Sequence, residues 1–483
     1  MNYQRIVYSL SIILLIIGLA MLLPLFCSLY YGETDSYALA LSCGVIYLVG
    51  FLGFKKAKTE GEFLHKEVFF IVTVGWILVS IFGSIPYLLS GTFTSFADAF
   101  FETMSGFTTT GASVLTDVEA LPHGLLLWRS LTHWLGGMGI IVLFVALFPS
   151  VGIGGMQMYQ AEAPGGSLMK KIRPRISEMA KVLWSIYLIM TIAEIILLYI
   201  AGMPLFDAVC HTFGTVATGG FSIKNASIGY YNNAAIEWII TIFMFLSGAN
   251  FALYYTIYRR KKLSVFTHNN EFKLYTLIVF TAIIFEVYSL YSISGYSIGD
   301  SIREAAFLVV SIITTTGFGT ADFAQWSFLG QVILISLMFV GGCTGSTGGS
   351  IKVGRILVLI KQTKLELQRC LHPRAVLSLK IDGENVAHQN VLNVTVFFFL
   401  YIGIVLAGTI LMTVVGRDLI TSFTAAATCL GNIGPGLGLV GPTKNFAFLS
   451  GGEKYFLSFL MLLGRLEIYT VLVLFLPSFW RKG

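Results

Sequence analysis

Long apolar runs alternate with short polar segments along the whole chain. Ten of these runs centre near residues 18, 45, 79, 137, 190, 247, 284, 342, 401 and 466. Each is long enough to cross a bilayer, which takes about 20 apolar residues in a helix. Four shorter semi-polar segments lie between them, at residues 94–110, 204–219, 301–316 and 418–433. The pattern predicts an all-α integral membrane protein with ten membrane spans and four re-entrant segments.

Composition supports a membrane protein. The chain has 483 residues, of which 56% are hydrophobic and 12% charged, with a mean hydropathy of +0.80. A soluble domain would carry about 25% charged residues. The first apolar run, Ile6–Tyr31, is too long for a signal-peptide core, so we expect it to be retained as the first helix. Six scattered cysteines without a CxxC pattern predict neither a disulfide framework nor a zinc site.

Basic residues indicate which side of the membrane each loop faces. They cluster in alternate loops, at Lys55–Lys66, Lys170–Lys181, Arg259–Lys273, Lys352–Lys380 and Arg481–Lys482. Because cytoplasmic loops are enriched in Lys and Arg, both termini are predicted to be cytoplasmic. All four short segments then dip in from the outer face and return to it. Irregular backbone at membrane depth is tolerated only inside protein or along a watery cavity, so the four dips predict a pore.

The four short segments form an internal repeat. A polar residue stands thirteen positions before a glycine in each of them: Asp98 before Gly111, Asp207 before Gly220, Glu304 before Gly317 and Thr421 before Gly434. We expect Asp98, Asp207 and Glu304 in the first turn of a short helix and Thr421 as an N-cap. The carboxyl end of such a helix carries partial negative charge that favours a cation. The glycine permits φ values that direct successive carbonyls toward one axis.

The repeat resembles a known family. Its four units, with TTTGAS, ATGGFS, TTTGFG and GNIGPGLG, are similar to the Trk/Ktr/HKT superfamily of K⁺ translocating subunits. The two N-terminal spans and the segment Gly464–Tyr469 resemble its bacterial TrkH/TrkG-type branch. The resemblance implies a two-helix hairpin followed by four M1–P-loop–M2 repeats around one pseudo-fourfold pore, with boundaries at 1–60, 61–177, 178–266, 267–388 and 389–483.

The resemblance also implies the residues of an ion filter. One glycine in each loop is the selectivity determinant of the family, and the matching positions are Gly111, Gly220, Gly317 and Gly434. Glycine rather than serine at Gly111 argues for K⁺. With their neighbours, the expected K⁺ filter residues are Thr110, Gly111, Gly219, Gly220, Thr316, Gly317, Ile433 and Gly434. The fourth loop departs most from the pattern, with Asn432 and Ile433 before its glycine.

Partners and location follow from the same resemblance. It implies uptake of K⁺, with Rb⁺ or weak Na⁺ passage, across a bacterial inner membrane by a homodimer. A cytosolic TrkA-type nucleotide-binding ring would regulate it. No tightly bound cofactor is expected, apart from K⁺ in the filter. The remaining partner of the protein is membrane lipid, and no nucleic acid is expected to bind.

Arg465 is an unusual charge in an apolar run. We expect it about midway through the span Tyr455–Phe479, where a lone arginine costs about 2.5–3.5 kcal/mol. One interpretation is a structural ion pair with Glu467. The other is a positive constriction below the filter, which resembles the pore arginine of the family.

A glycine-rich run interrupts the span near residue 342. Five glycines in nine positions each cost about 0.8–1 kcal/mol relative to alanine in a helix, so we expect the helix to break there. The run resembles the family's intramembrane gating loop, which makes Gly341, Gly342, Gly345, Ser346, Thr347, Gly348 and Gly349 candidate gate residues. The alternative is a helix-packing seam of small residues.

Other functions have weaker support. Residues 436–441 match GxGxxG, but no βαβ pattern surrounds them, and neither HExxH nor GxSxG occurs in the chain. We therefore do not expect an enzyme. A symporter coupled to H⁺ or Na⁺ stays open because Glu194, Glu286 and Glu467 lie within predicted spans. A Na⁺-permeable transporter of the same fold is the other alternative.

Overall fold

In the computed structural model, the residues described are 1–57, 63–139, 176–262, 264–375 and 377–481, and their regular secondary structure is almost entirely helical. The helices are α1 (Tyr3–Tyr31), α2 (Ser36–Lys56), α3 (His65–Gly83), α4 (Ile85–Leu89), α5 (Phe96–Phe107), α6 (His123–Gly137), α7 (Ile176–Ile200), α8 (Leu205–Val216), α9 (Ala234–Ser247), α10 (Phe251–Arg260), α11 (Ser264–His268), α12 (Asn270–Tyr288), α13 (Ile298–Ile313), α14 (Phe328–Leu337), α15 (Val353–Leu371), α16 (His388–Val414), α17 (Leu419–Gly431), α18 (Gly451–Arg465), α19 (Tyr469–Leu472) and α20 (Pro477–Trp480). A two-stranded antiparallel hairpin, β1 (Lys380–Ile381) and β2 (Glu384–Asn385), precedes α16.

Several of these helices can cross a membrane. Six single stretches are long and apolar enough among the described residues: α1, α2, α3 with α4, α7, α12 with the turn that follows it, and α16. Two bent pairs raise the number to as many as eight: α9 with α10, at 86°, and α18 with α19, at 113°. The second half of the predicted span near residue 137 lies outside the described residues. The multi-span helical fold is confirmed, and the count of ten spans stays a prediction.

The first two helices form the predicted hairpin. A left-handed Gly32, with φ of 69°, ends α1, and α2 begins at Ser36. The Ser28 hydroxyl donates to the Asp35 carboxylate across this turn. The hairpin also packs on α3, where Arg5 Nη1 lies 3.3 Å from Glu67 Oε2. The pair joins the start of α1 to the start of α3, so the hairpin is fixed to the rest of the fold at this end.

The four segments predicted to be re-entrant contain the four short helices α5, α8, α13 and α17. Asp98 and Asp207 lie in first turns, as predicted. Glu304 and Thr421 were placed wrongly, because Ser297 caps α13 and Asp418 caps α17, which starts each helix at a different register. Glu304 is therefore well inside α13, and Thr421 lies within the first turn of α17. Hydrogen bonds from the Thr421 hydroxyl and backbone N–H hold the pKa of Asp418 below its usual value.

The helix that follows each short helix is itself interrupted, and the interruptions of α6, α9 and α18 lie against the carboxyl end of a short helix. α6 ends at Gly137, α9 at Ser247, α14 at Leu337 and α18 at Arg465. The close approach is possible because glycines lie at the contacts. A side-chain carbon at Gly136 would overlap the carbonyl oxygen of Phe107, and one at Gly464 would overlap that of Leu430. The carboxyl ends of the short helices and the helix breaks therefore form one packed layer.

Trp128 fixes α5 within this layer. Its side chain is fully buried, its indole Nε1–H donates to the Gly83 carbonyl at 3.0 Å, and its ring packs edge-on against Phe107. Gly83 is the last residue of α3, so a single indole joins α3, α5 and α6.

We expect Trp128→Phe to lower stability by about 1–3 kcal/mol, because the Gly83 carbonyl would lose its buried indole donor. Thermal unfolding of the purified protein in detergent measures this. Trp238→Phe is the control, because Trp238 is 41% exposed on α9. Equal melting temperatures for the two variants would contradict the role assigned to Trp128.

Candidate functional site

The four short helices end in one backbone conformation. In each, a residue with φ between 53° and 60° stands two positions before a glycine with φ between 78° and 98°. The pairs are Thr109 and Gly111, Thr218 and Gly220, Thr315 and Gly317, and Asn432 and Gly434. The left-handed conformation costs a residue with a side chain about 1–2 kcal/mol, and threonine is branched at Cβ. Four repeats of this strain mark a functional site rather than ordinary turns.

A hydrogen bond of one type closes each of these helix ends. The backbone N–H just before each glycine donates to the carbonyl five residues earlier, at 2.8–3.0 Å. The bonds run from Thr110 to Ser105, from Gly219 to Gly214, from Thr316 to Ser311 and from Ile433 to Thr428. This six-to-one bond behind a left-handed residue is the Schellman arrangement that ends many helices. It turns the chain sharply and delivers the glycine to the helix end.

The four glycines and their neighbours close a ring. A side-chain carbon at Gly111 would meet the carbonyl oxygen of Gly219, and one at Gly220 would meet that of Thr316. One at Gly317 would meet the Ile433 oxygen. One at Gly434 would lie 2.8 Å from the Thr110 oxygen. Because Thr110 belongs to the first loop, this last contact closes the ring of four loops.

All eight residues predicted for the filter are thus brought together by the fold. The four carbonyl oxygens at these contacts belong to equivalent residues, each directly before a glycine. We call this arrangement the carbonyl ring.

The side chains of the three left-handed threonines contact the glycine-rich segment or its neighbour Arg465. The Thr218 hydroxyl donates to Thr347 Oγ1 at 3.2 Å, and the Gly349 N–H donates to Thr315 Oγ1 at 2.7 Å. Thr109 Oγ1 accepts from Arg465 Nη1 at 3.2 Å. These three threonines were not singled out from the sequence. Their one available signal was the repeated threonine two positions before a filter glycine.

The glycine-rich run forms the predicted break. α14 ends at Leu337 and α15 begins at Val353, and residues 338–352 between them fold without regular helix or strand. We call these residues the inner segment. Its backbone binds the bend between α9 and α10, because the Cys343 N–H donates to the Gly248 carbonyl at 2.7 Å and the Gly345 carbonyl accepts from Phe251 N–H at 3.2 Å.

The remaining candidate gate residues lie in the same segment. They are Gly341, Gly342, Ser346, Thr347, Gly348 and Gly349. Gly349 approaches the fourth loop so closely that a side-chain carbon there would overlap the carbonyl oxygen of Gly431. The inner segment therefore contacts the second, third and fourth loops directly.

Arg465 binds the inner segment and two neighbouring elements at once. Its Nη1 donates to the Thr347 carbonyl at 2.9 Å, and its Nη2 donates to the carbonyls of Gly136 and, at 2.8 Å, Gly137. Lys352 Nζ donates to the next carbonyl of the segment, that of Gly348. Two cationic side chains therefore hold adjacent carbonyls of the inner segment.

The structure corrects one expectation about this arginine. Arg465 ends α18 at the bend between α18 and α19, which is the middle of that bent pair rather than of a continuous helix. The proposed pair with Glu467 is wrong, because Glu467 Oε2 binds Arg355 Nη2 at the start of α15. Arg355 was overlooked because it is 112 positions away in the sequence.

A second buried charge pair was missed by the sequence analysis. Arg129 Nε lies 2.7 Å from Glu102 Oε1, and both side chains are almost fully buried beside the first two loops. The available signal was an arginine and a glutamate inside apolar helical segments, where charges need a partner. Among the described residues, no group of three His, Cys, Asp or Glu side chains is arranged to hold a metal ion. The oxygens that the fold does bring together are backbone carbonyls.

Comparisons with known proteins agree with this architecture. The family model described as TrkH, cation transport protein, matches residues 40–482. The chain is 39% identical to the Trk system potassium uptake protein TrkH of Escherichia coli strain K12, with all of both chains covered. It is 38% identical to TrkG of the same strain, with 96% of each chain covered. The crystal structure of the potassium transporter TrkH from Vibrio parahaemolyticus superposes with a TM-score of 0.90, at 36% identity and complete coverage of both chains.

The ring predicts a sharp difference between glycines of similar φ. Gly220→Ala should lower thermal stability in detergent clearly more than Gly295→Ala. Both glycines have positive φ, 78° and 74°, so both substitutions introduce the backbone strain of a left-handed alanine, about 1–2 kcal/mol. Only the new methyl group at Gly220 meets a backbone carbonyl, since nothing lies within 4 Å at Gly295. Equal destabilisation would argue against the close contact between the second and third loops.

Proposed function

The chain belongs to the TrkH family of cation transport proteins, and from this premise we propose that it takes up K⁺ through a channel-like pore whose filter is the carbonyl ring. It moves the ion without covalent chemistry. The relatives named above are K⁺ uptake proteins of the Trk system, and their similarity extends over 96% of the chain or more.

The carbonyl ring is the observation that carries this proposal. Rings of backbone carbonyls can replace the hydration shell of K⁺, and this is how K⁺ filters select their ion. Here four equivalent oxygens, those of Thr110, Gly219, Thr316 and Ile433, come from four loops that contact one another in a closed series. A negatively polarised helix end lies behind each loop and favours a cation at the ring. The departure of the fourth loop at Asn432 is accommodated, because asparagine tolerates the left-handed conformation that threonine adopts in the other three.

The inner segment is proposed as the gate. It contacts the loops on the side where Arg465 and Lys352 lie, and its glycines allow a second backbone arrangement. In the present arrangement the cationic side chains of Arg465 and Lys352 bind its carbonyls, and their positive charge opposes a K⁺ ion that leaves the ring. Opening would move Thr347 and Gly349 away from Thr218 and Thr315.

Assembly and control are proposed by family likeness. We expect a homodimer in a bacterial inner membrane, with both termini in the cytoplasm and a TrkA-type nucleotide-binding ring bound on that side. The basic loops Arg259–Lys273 and Lys352–Lys380 suit a cytoplasmic face. α15 begins directly after the inner segment and makes up most of the second of these loops, so a partner bound there could move the gate.

Reversal potentials of the purified, reconstituted protein in opposed K⁺ and Na⁺ gradients test the filter. Gly111→Ser should lower the K⁺/Na⁺ permeability ratio by about tenfold, which is about 1.4 kcal/mol of discrimination, because a side chain would push apart the first and second loops. Gly295→Ser, at a positive φ in open space, should leave the ratio unchanged. A wild-type protein that prefers neither ion, or conducts K⁺ only with H⁺ or Na⁺, would reject the selective pore.

Arg465→Ala should raise K⁺ flux several-fold and leave selectivity nearly intact. A cation about 5 Å from the guanidinium is repelled by about 3 kcal/mol at an effective dielectric of 20, and water reduces this. Arg465→Lys separates charge from bonding, because lysine keeps the charge but cannot repeat the fork to Thr347 and Gly137. Flux near the wild-type level in the lysine variant indicates that the charge limits flux. Flux like that of alanine indicates that the bonds hold the gate shut. A destabilised alanine variant with no gain in flux would contradict both.

A further inference from the structure

The Glu102–Arg129 pair is buried in a way that needs a reason. Glu102 lies on α5 and Arg129 on α6, and their side chains are 0% and 4% exposed. Burying two charges removes their hydration, and a pair recovers that loss only with good geometry and further hydrogen bonds. A hydrophobic pair of similar size would serve packing at lower cost. The further bonds of the pair therefore show what it does.

The carboxylate holds the first loop. Glu102 Oε1 accepts from Ser113 Oγ at 2.9 Å, and Glu102 Oε2 accepts from Val114 N–H at 2.9 Å. Ser113 and Val114 follow Gly111 by two and three residues. The segment that follows Gly111 in the first loop is thus hydrogen-bonded to α5, the short helix of the same loop.

The guanidinium holds the second loop. Arg129 Nη1 donates to the Ser222 carbonyl at 2.7 Å, and the Arg129 guanidinium carbon lies 3.5 Å from the centre of the Phe221 ring. Phe221 and Ser222 are the two residues after Gly220. Because Arg129 binds Glu102 through Nε and Ser222 through Nη1, one rigid planar group spans the first and second loops.

The other two loops are fastened differently. Ser311 Oγ donates to the Phe318 carbonyl at 2.7 Å, and Thr424 Oγ1 donates to the Leu437 carbonyl at 3.1 Å. These bonds stay within the third and the fourth loop, respectively. Neither hydroxyl bond joins two loops, whereas Arg129 joins the first loop to the second.

We propose that Glu102 and Arg129 are positioning residues for ion selectivity, which set the distance between the first and second loops of the carbonyl ring. The proposal rests on the proposed filter function. The pair is not part of the carbonyl ring, and it acts by fixing the segments that follow Gly111 and Gly220. A change in its geometry should alter how well the ring fits K⁺ before it prevents folding.

Arg129→Lys is the decisive variant. Lysine keeps the charge beside Glu102, but one ammonium cannot also reach the Ser222 carbonyl and lie over Phe221 with the geometry of a guanidinium. We expect K⁺ transport to persist while the K⁺/Na⁺ permeability ratio falls by about tenfold. The matched control is Arg5→Lys, which weakens the Arg5–Glu67 pair at the other end of α3, where Glu67 is also fully buried. That control should keep the wild-type ratio.

Ser113→Ala is the second variant, because it removes one bond to Glu102 without leaving a charge unpaired. It should lower the ratio in the same direction, by about threefold. An unchanged ratio in folded Arg129→Lys, or in Ser113→Ala if Arg129→Lys does not fold, would overturn the positioning role. An equal fall in Arg5→Lys would also overturn it, because general loosening would then suffice. A wild-type protein without K⁺ selectivity would instead reject the proposed function itself.

Discussion

The whole site depends on one close contact, in which a glycine of one loop lies against a backbone carbonyl oxygen of the next. The contact occurs four times, and no position in the series accepts a side chain without displacing a neighbouring loop. Strain at the left-handed residues Thr109, Thr218 and Thr315 is tolerated because the Schellman bonds and the packed layer around them fix the same turn. Close packing and local strain therefore support each other.

Much of this arrangement could be predicted from sequence, because a glycine required by close contact leaves its mark directly in the chain. The spacing of thirteen residues to Gly111, Gly220, Gly317 and Gly434 located all four short helices. It also placed the starts of α5 and α8 correctly, with Asp98 and Asp207 in first turns, but not those of α13 and α17. Ser297 and Asp418 fix the starts of α13 and α17 from outside the repeated motif, so capping chemistry and not the repeat decides the register there.

The ends of the helices that follow the short helices were harder to predict, except in the inner segment, where five glycines predict a break. The apolar pattern continues through Arg465, yet α18 ends there, because Gly464 packs against the Leu430 carbonyl and the chain must turn. The partner of Glu467 could not be predicted either. Arg355 comes from a distant helix, and nearness in sequence favoured Arg465, which instead binds carbonyls. The tertiary fold determines which buried charges pair, and a local sequence pattern does not contain that information.

The backbone of the four loops is nearly symmetric, but the side chains that support them are not. Three left-handed threonines meet three different partners: Arg465 for Thr109, a hydroxyl for Thr218 and a backbone N–H for Thr315. In the proposed filter an ion in the centre would meet four similar carbonyls, so selectivity would depend on the symmetric part of the site. The inner segment comes from the third repeat alone and contacts several loops, so a gate can use the asymmetric part. If the inner segment is the gate, as proposed, movement of the single helix α15 would shift it without rebuilding the ring, which would separate control of flux from choice of ion.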